Sequence, residues 1–203
     1  MKKFRKKVII MIAAVLIFLS FGIVMDKLQL RNNMIRLHVI ADSNSAEDQH
    51  IKLKVRDAVL AVLQVAMEDS SDVYMAKDYI LMNIPQLESA ANQVLKDAGF
   101  SEQARVSLVT EEYPCREYET FSLPSGVYQS LKVVIGSGEG KNWWCVVFPT
   151  LCKPATVDAF REESESTGIS RSLSNTLCAD KKYEIRFFLL DCLGKIENFF
   201  HFG

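Results

Sequence analysis

The clearest alternation in the chain is MIRLHVIA, Met34 to Ala41, where Ile35, Leu37 and Val39 fall on one side and Arg36 and His38 on the other. A period of two with one apolar side is the mark of a half-buried strand. The polar run DSNSAEDQ follows it and holds two overlapping helix-start patterns: Asn44 with Glu47, and Ser45 with Asp48, each a capping box. Beyond it Ile51, Val55, Ala58, Val59, Val62 and Ala66 recur at helical spacing. A second helix is predicted from about Tyr74 to Ala98, with Pro85 kinking or dividing it and Gly99 stopping it. ARVSLVT alternates with Val106 and Leu108 inward, and VYQSLKVVIG with Leu131, Val133 and Ile135 inward. In NWWCVVF, strict alternation puts Trp143, Cys145 and Val147 on one side and Trp144, Val146 and Phe148 on the other, so both faces are apolar. Gly136, Gly138 and Gly140 lie between these two runs, where a hairpin loop needs positive φ. The serine-rich stretch near residues 159–176 reads as a flexible connector. At the end, Ile185, Phe188, Leu189, Cys192, Leu193, Ile196, Phe199 and Phe200 trace one helical stripe, interrupted by Gly194.

The order β-α-α-β-β-β-α specifies an α+β domain: two layers, a mostly antiparallel sheet, and helices on one face. A sheet covered on one side leaves the doubly apolar strand needing a second cover, from the C-terminal helix or from a partner.

The N-terminus stands apart from this domain. Lys2, Lys3, Arg5, Lys6 and Lys7 precede an uncharged apolar run from Val8 to Met25, so residues 1–25 read as a signal peptide or signal anchor and residues 26–203 as a single extracytoplasmic domain. Ser20-Phe21-Gly22 offers a small-x-small cleavage site, and the whole run is also long enough to span a bilayer. Of 24 Lys and Arg, the 19 outside this segment face 25 Asp and Glu, a net charge of −6. An acidic exported domain has no footprint for nucleic acid and approaches anionic lipid only through its N-terminal segment.

No catalytic motif is assembled. GEGK at Gly138–Lys141 ends like a nucleotide loop, but Ile135 stands where the first glycine belongs and Asn142 where a Mg²⁺-binding hydroxyl belongs. Asp42 and Asn44 begin like a Ca²⁺ loop that Ala46 and Glu47 then break. Six residues separate Cys145 from Cys152, which is neither a redox C-x-x-C nor half of a zinc site, so in an exported chain the two are expected to form a disulfide. Cys115, Cys178 and Cys192 are left, with Cys192 on the helical stripe as a buried apolar residue. A Cys145–His38 nucleophilic pair would need two distant strands to meet. No metal and no cofactor are expected, and the balance favours a binding or signalling protein over an enzyme. The rival reading is an extracytoplasmic hydrolase of wall or envelope that uses His38, Asp42 or Asp48.

Two stretches carry a family pattern. IRLHVIADSNSAEDQHIKLKVRDAVL (Ile35 to Leu60) and LPSGVYQSLKVVIGSGEGKNWWCVVFPTLC (Leu123 to Cys152) resemble the two signatures of stage II sporulation protein R. The matching residues are Arg36, Asp48, Arg56 and Asp57 in the first, and Asn142, Trp143, Trp144, Cys145, Phe148, Pro149, Leu151 and Cys152 in the second. Thr150, the order of Asp42 and Asn44, and Cys115 depart from the pattern. The resemblance implies a signal exported by the forespore into the space between the septal membranes. There it triggers a membrane-embedded aspartic peptidase, stage II sporulation protein GA, to process the precursor of sigma-E. Asn142, Trp143, Trp144, Phe148, Pro149 and Leu151 are then the candidate partner-binding residues.

Overall fold

The computed structural model describes residues 2–67, 70, 72–149, 157–178 and 185–201. Its elements are α1 (Lys2–Asn32), β1 (Ile35–Ile40), α2 (Ala46–Met67), α3 (Val73–Asp97), β2 (Ala104–Tyr113), β3 (Arg116–Glu117), β4 (Ser122–Leu123), β5 (Gly126–Ile135), β6 (Asn142–Phe148), α4 (Val157–Ser166), α5 (Arg171–Cys178) and α6 (Ile185–His201). The α+β class holds. The main sheet has the order β2-β5-β1-β6, antiparallel except where β1 runs parallel to β5.

One face of this sheet packs on α2 and α3. Ile35, Leu37 and Val39 of β1 meet Ile51, Val55 and Val59 of α2 and Ile80, Leu87 and Ala91 of α3 in the larger hydrophobic cluster. Of the two capping boxes foreseen for α2, the Ser45–Asp48 one forms in half: Asp48 N–H donates to Ser45 Oγ at 3.0 Å, but Ser45 N–H donates to Ser43 Oγ at 3.1 Å, and the Asp48 carboxylate accepts from the Ser45 hydroxyl at 2.8 Å. Asp72 caps α3 by accepting from Tyr74 N and Met75 N. Pro85 does not divide α3. It sits exposed, where water can reach the carbonyl that proline leaves unpaired.

The opposite face is covered too, which makes β1 buried along its whole length rather than half-buried. Leu30 of α1, Phe160 of α4, Leu173 and Leu177 of α5, and Phe187 and Leu190 of α6 form a second cluster with Tyr113, Tyr128 and Val146. The serine-rich stretch expected to be a connector is therefore two short helices. Phe160, Ile169, Leu173 and Leu177 are buried, and tertiary burial outweighs the polar composition.

The apolar stripe foreseen on α6 points away from the domain. Phe187, Leu190, Asp191 and Gly194 are buried, whereas Ile185, Phe188, Ile196, Phe199 and Phe200 lie 54% to 77% exposed. Gly194 decides the side, because a Cβ there would come within 1.6 Å of the Ser125 carbonyl oxygen. Only glycine allows that approach. Asp191 then accepts from Ser125 N–H at 2.8 Å, Lys27 pairs with Glu197 at 2.7 Å, and Arg186 pairs with Asp26 at 2.7 Å. Cys192, expected to be buried, is half-buried. Among the described residues no helix is long and apolar enough to cross a membrane. The side chains of residues 12, 13 and 15–20, in the apolar run of α1, lie outside that description.

Substituting Gly194→Ala is expected to destabilise the fold by about 1–3 kcal/mol, as overpacking against rigid backbone does. At this chain length each kcal/mol lowers the melting temperature by about 2–4 °C. Limited proteolysis should cut at α6 first. An unchanged melting curve would refute the close docking of that helix.

Candidate functional site

The two signature stretches meet at one end of the sheet. β5 and β6 do not form the hairpin that their sequence suggests, because β1 lies between them. The glycine-rich loop instead arches over the end of β1. Glu139 N–H donates to Asp42 O at 3.1 Å, Gly140 N–H to Ala41 O at 2.9 Å, and Ser137 N–H to Asp42 Oδ1 at 2.6 Å. Gly136 has φ 56, and a Cβ there would fall 2.1 Å from Asp42 Oδ1. Lys52 ties α2 to the same loop by donating to Lys141 O at 2.9 Å, and burial lowers its pKa. The Ser43 hydroxyl also donates to Asp48, whose carboxyl is held below its usual range by the hydrogen bonds from Ser43 and Ser45. Asp42 and Asp48 are thus both committed to backbone and cap. They are not placed as an acid–base pair with His38.

On β6, Asn142 is exposed and Trp143 and Trp144 are half-buried on opposite faces. The Arg56 guanidinium, which also pairs with Asp57, lies 4.7 Å from the Trp143 ring. The sequence reading is right for Cys145 and Val146 and misses at Phe148. Arg36 pairs with Val146 but Ile35 with Phe148, a β-bulge that carries Phe148 over to the α2/α3 face. Phe148 and Pro149 are buried. Leu151 and Cys152 lie outside the described residues, and with them the expected Cys145–Cys152 disulfide. His38 and Cys145 are on neighbouring strands, contrary to expectation, but they project to opposite faces: His38 contacts Trp144 in ring geometry, and Cys145 sits in the α2/α3 cluster.

The concentrated chemistry is on the second face, around Arg36, which is 0% exposed. Its guanidinium lies 3.8 Å from the Tyr113 ring centroid and 5.0 Å from that of Tyr128, and Nη2 donates to Tyr118 Oη at 2.9 Å. Among the described residues Nε and Nη1 have no hydrogen-bond partner. Cation–π contact with a desolvated ring contributes about 2 kcal/mol. It acts through the ring faces, however, and does not satisfy donors in the guanidinium plane, each of which costs on the order of 1–3 kcal/mol when buried unmatched. Arg116, on β3, lies 3.5 Å above the Trp144 ring, and its Nε is likewise unmatched. Burial and then the nearby Arg36 charge lower its pKa, while Tyr118 opposes them.

Next to this pair, Glu111 accepts from His38 Nδ1 at 2.9 Å and from Lys132 Nζ at 3.0 Å. Burial would raise the Glu111 pKa, but hydrogen bonds from His38, Ser130 and Lys132 outweigh it and hold the pKa at about 2. Tyr113, bonded to Ser130 Oγ at 2.6 Å, is pushed well above its usual range by burial. Sequence reasoning singled out Arg36 and His38 but not Glu111, Tyr113, Arg116 or Tyr118. Nothing in their local spacing marks them, because β2 and the small β3–β4 sheet reach β1 only through the fold.

A carboxylate whose folded pKa is depressed stabilises the protein above its unfolded pKa and loses that contribution as pH falls through the folded value. Stability is therefore expected to decline from about pH 4.5 towards about pH 2. Glu111→Gln should flatten that decline relative to wild type in melts taken across the range; parallel curves would contradict the network.

The family described as Stage II sporulation protein R (spore_II_R) matches residues 31–158, a span that runs from the end of α1 to the start of α4. Stage II sporulation protein R of Bacillus subtilis (strain 168) is 31% identical over 118 residues, which is 58% of this chain and 53% of that protein. The aligned part is thus about half the length of the relative. No solved structure matches. The match takes in β1 with Arg36 and His38, the capped start of α2, the glycine arch and the tryptophan strand, and the chain belongs to the stage II sporulation protein R family.

Proposed function

We propose that this chain is an exported signal that activates the membrane-embedded aspartic peptidase stage II sporulation protein GA, so that pro-sigma-E is processed in the mother cell. Its role in sporulation follows from family membership. The finer reading is supported most by the bare side of α6, where Ile185, Phe188, Ile196, Phe199 and Phe200 are together exposed beside α1. Contiguous apolar surface of this kind marks an interaction site. Burying it yields about 25 cal/mol per Å². An activator works only if it binds the active arrangement of its target more tightly than the resting one. A helix held at Gly194 and by three ion pairs to α1 suits such discrimination because little ordering is left to do on binding.

In this reading the protein acts without catalysing a reaction, in the space between forespore and mother cell, secreted or held by its N-terminal segment. Cys145 is joined there to Cys152, a short loop that contributes about 2–3 kcal/mol in the chain-entropy account.

Co-expression of this chain, the peptidase and the sigma precursor in a non-sporulating host should yield processed sigma factor. The double variant Phe188→Ser/Phe199→Ser removes only exposed side chains, so it should melt within a few degrees of wild type while processing falls at least tenfold. Full processing by a folded double variant would refute the α6 contact. Peptide mapping of exported protein without reductant should recover Cys145 and Cys152 in one linked fragment, and two free thiols would refute the pairing.

A further inference from the structure

Arg36 and Arg116 leave a specific deficit. Among the described residues the Arg36 guanidinium, 0% exposed, keeps Nε and Nη1 unmatched, the Arg116 guanidinium above Trp144 keeps Nε unmatched, and no carboxylate pairs with either. Glu111, on the same face, is already held by His38 and Lys132. Buried arginine is ordinarily retained with an anion in its plane. Here a neutral hydroxyl, that of Tyr118, takes the one bond that is made. Tyr118 and Arg116 both belong to the β3–β4 hairpin, which lies over this face and is anchored by the Tyr118–Phe121–Phe160 stack at 4.7 Å and 4.4 Å. Trp144, under Arg116, is half-buried and carries the site to the surface.

We propose that Arg36 and Arg116 form the seat for a carboxylate presented by an acidic segment of a protein partner, with Tyr118 holding the seat closed until that group arrives. A planar fork of N–H donors matches a carboxylate better than it matches a point-like acceptor. Acetate or phosphate meets a domain of net charge −6 with only its own contact to the fork to offset that field, whereas a peptide-borne carboxylate also brings the backbone contacts of its segment. Trp144, at the rim, is the residue such contacts would meet first. The assignment does not depend on which protein is the partner.

The test uses the full chain in detergent micelles, with Trp143→Phe so that fluorescence reports Trp144 alone. The probes are a short peptide alternating Asp and Gly, the same peptide with Asn for Asp, and sodium acetate and phosphate at matched ionic strength. The Asp peptide is expected to change Trp144 fluorescence saturably and to raise the melting temperature, the Asn peptide to do neither, and Arg116→Gln to weaken the response at least tenfold while leaving the free protein folded. Arg36→Lys, which keeps the charge but loses the fork, should weaken it as well if it folds. If acetate or phosphate acts as strongly as the peptide, the seat belongs to free anions and a protein-borne carboxylate is refuted. If the Asp peptide has no effect, or acts equally on Arg116→Gln, there is no such seat.

Discussion

Burying both faces of β1 is the constraint to which the rest of the molecule answers. A strand that alternates apolar with Arg36 and His38 would ordinarily turn its polar side to water. Here β5 and β6 flank it and helices lie above and below, so a cation and an imidazole are carried into the interior. Removing a charge from water costs several kcal/mol even after the protein relaxes. Everything gathered on that face reduces the cost: the rings of Tyr113 and Tyr128, the Tyr118 hydroxyl, and Glu111 beside His38. Part of it remains unmet at Arg36 Nε and Nη1, and that residue of unsatisfied chemistry is the most informative feature of the molecule.

A central β1 also explains the glycine arch. To lie antiparallel to β1 on the far side from β5, β6 must be reached by a crossing over the end of β1, and the crossing chain passes within bonding distance of Asp42 and Ala41. Side chains at Gly136 or Gly140 would collide there. The first signature therefore supplies carbonyls and carboxylates, the second supplies bare backbone, and the two are complementary halves of one junction. Asp48, which sequence alone could place in a hydrolytic pair, is part of the same junction through Ser43 and Ser45.

α6 belongs to a different regime. Its apolar stripe would choose one buried side, but backbone contact with Ser125 and ion pairs to α1 turn the other side, with Phe187 and Leu190, to the domain. The side left outside is the more hydrophobic one, an arrangement that makes sense for a helix that has a second surface to meet.

By itself the sequence determined what depends on near neighbours in the chain: the helical period of α2, the Ser45–Asp48 cap, the inward side of β5, the α+β class, and through its two signatures the family. Such features arise from spacing within a few residues, and spacing is written in the chain. Only the tertiary structure decided that β5 and β6 are not neighbours, that a bulge transfers Phe148 to the other face, that a serine-rich stretch closes the second layer as α4 and α5, and that Glu111, Arg116 and Tyr118 converge on Arg36 and His38. Strand order, register shifts and convergence are set by contacts between segments tens of residues apart. Their energies depend on what is buried at the same time, so no local pattern encodes them.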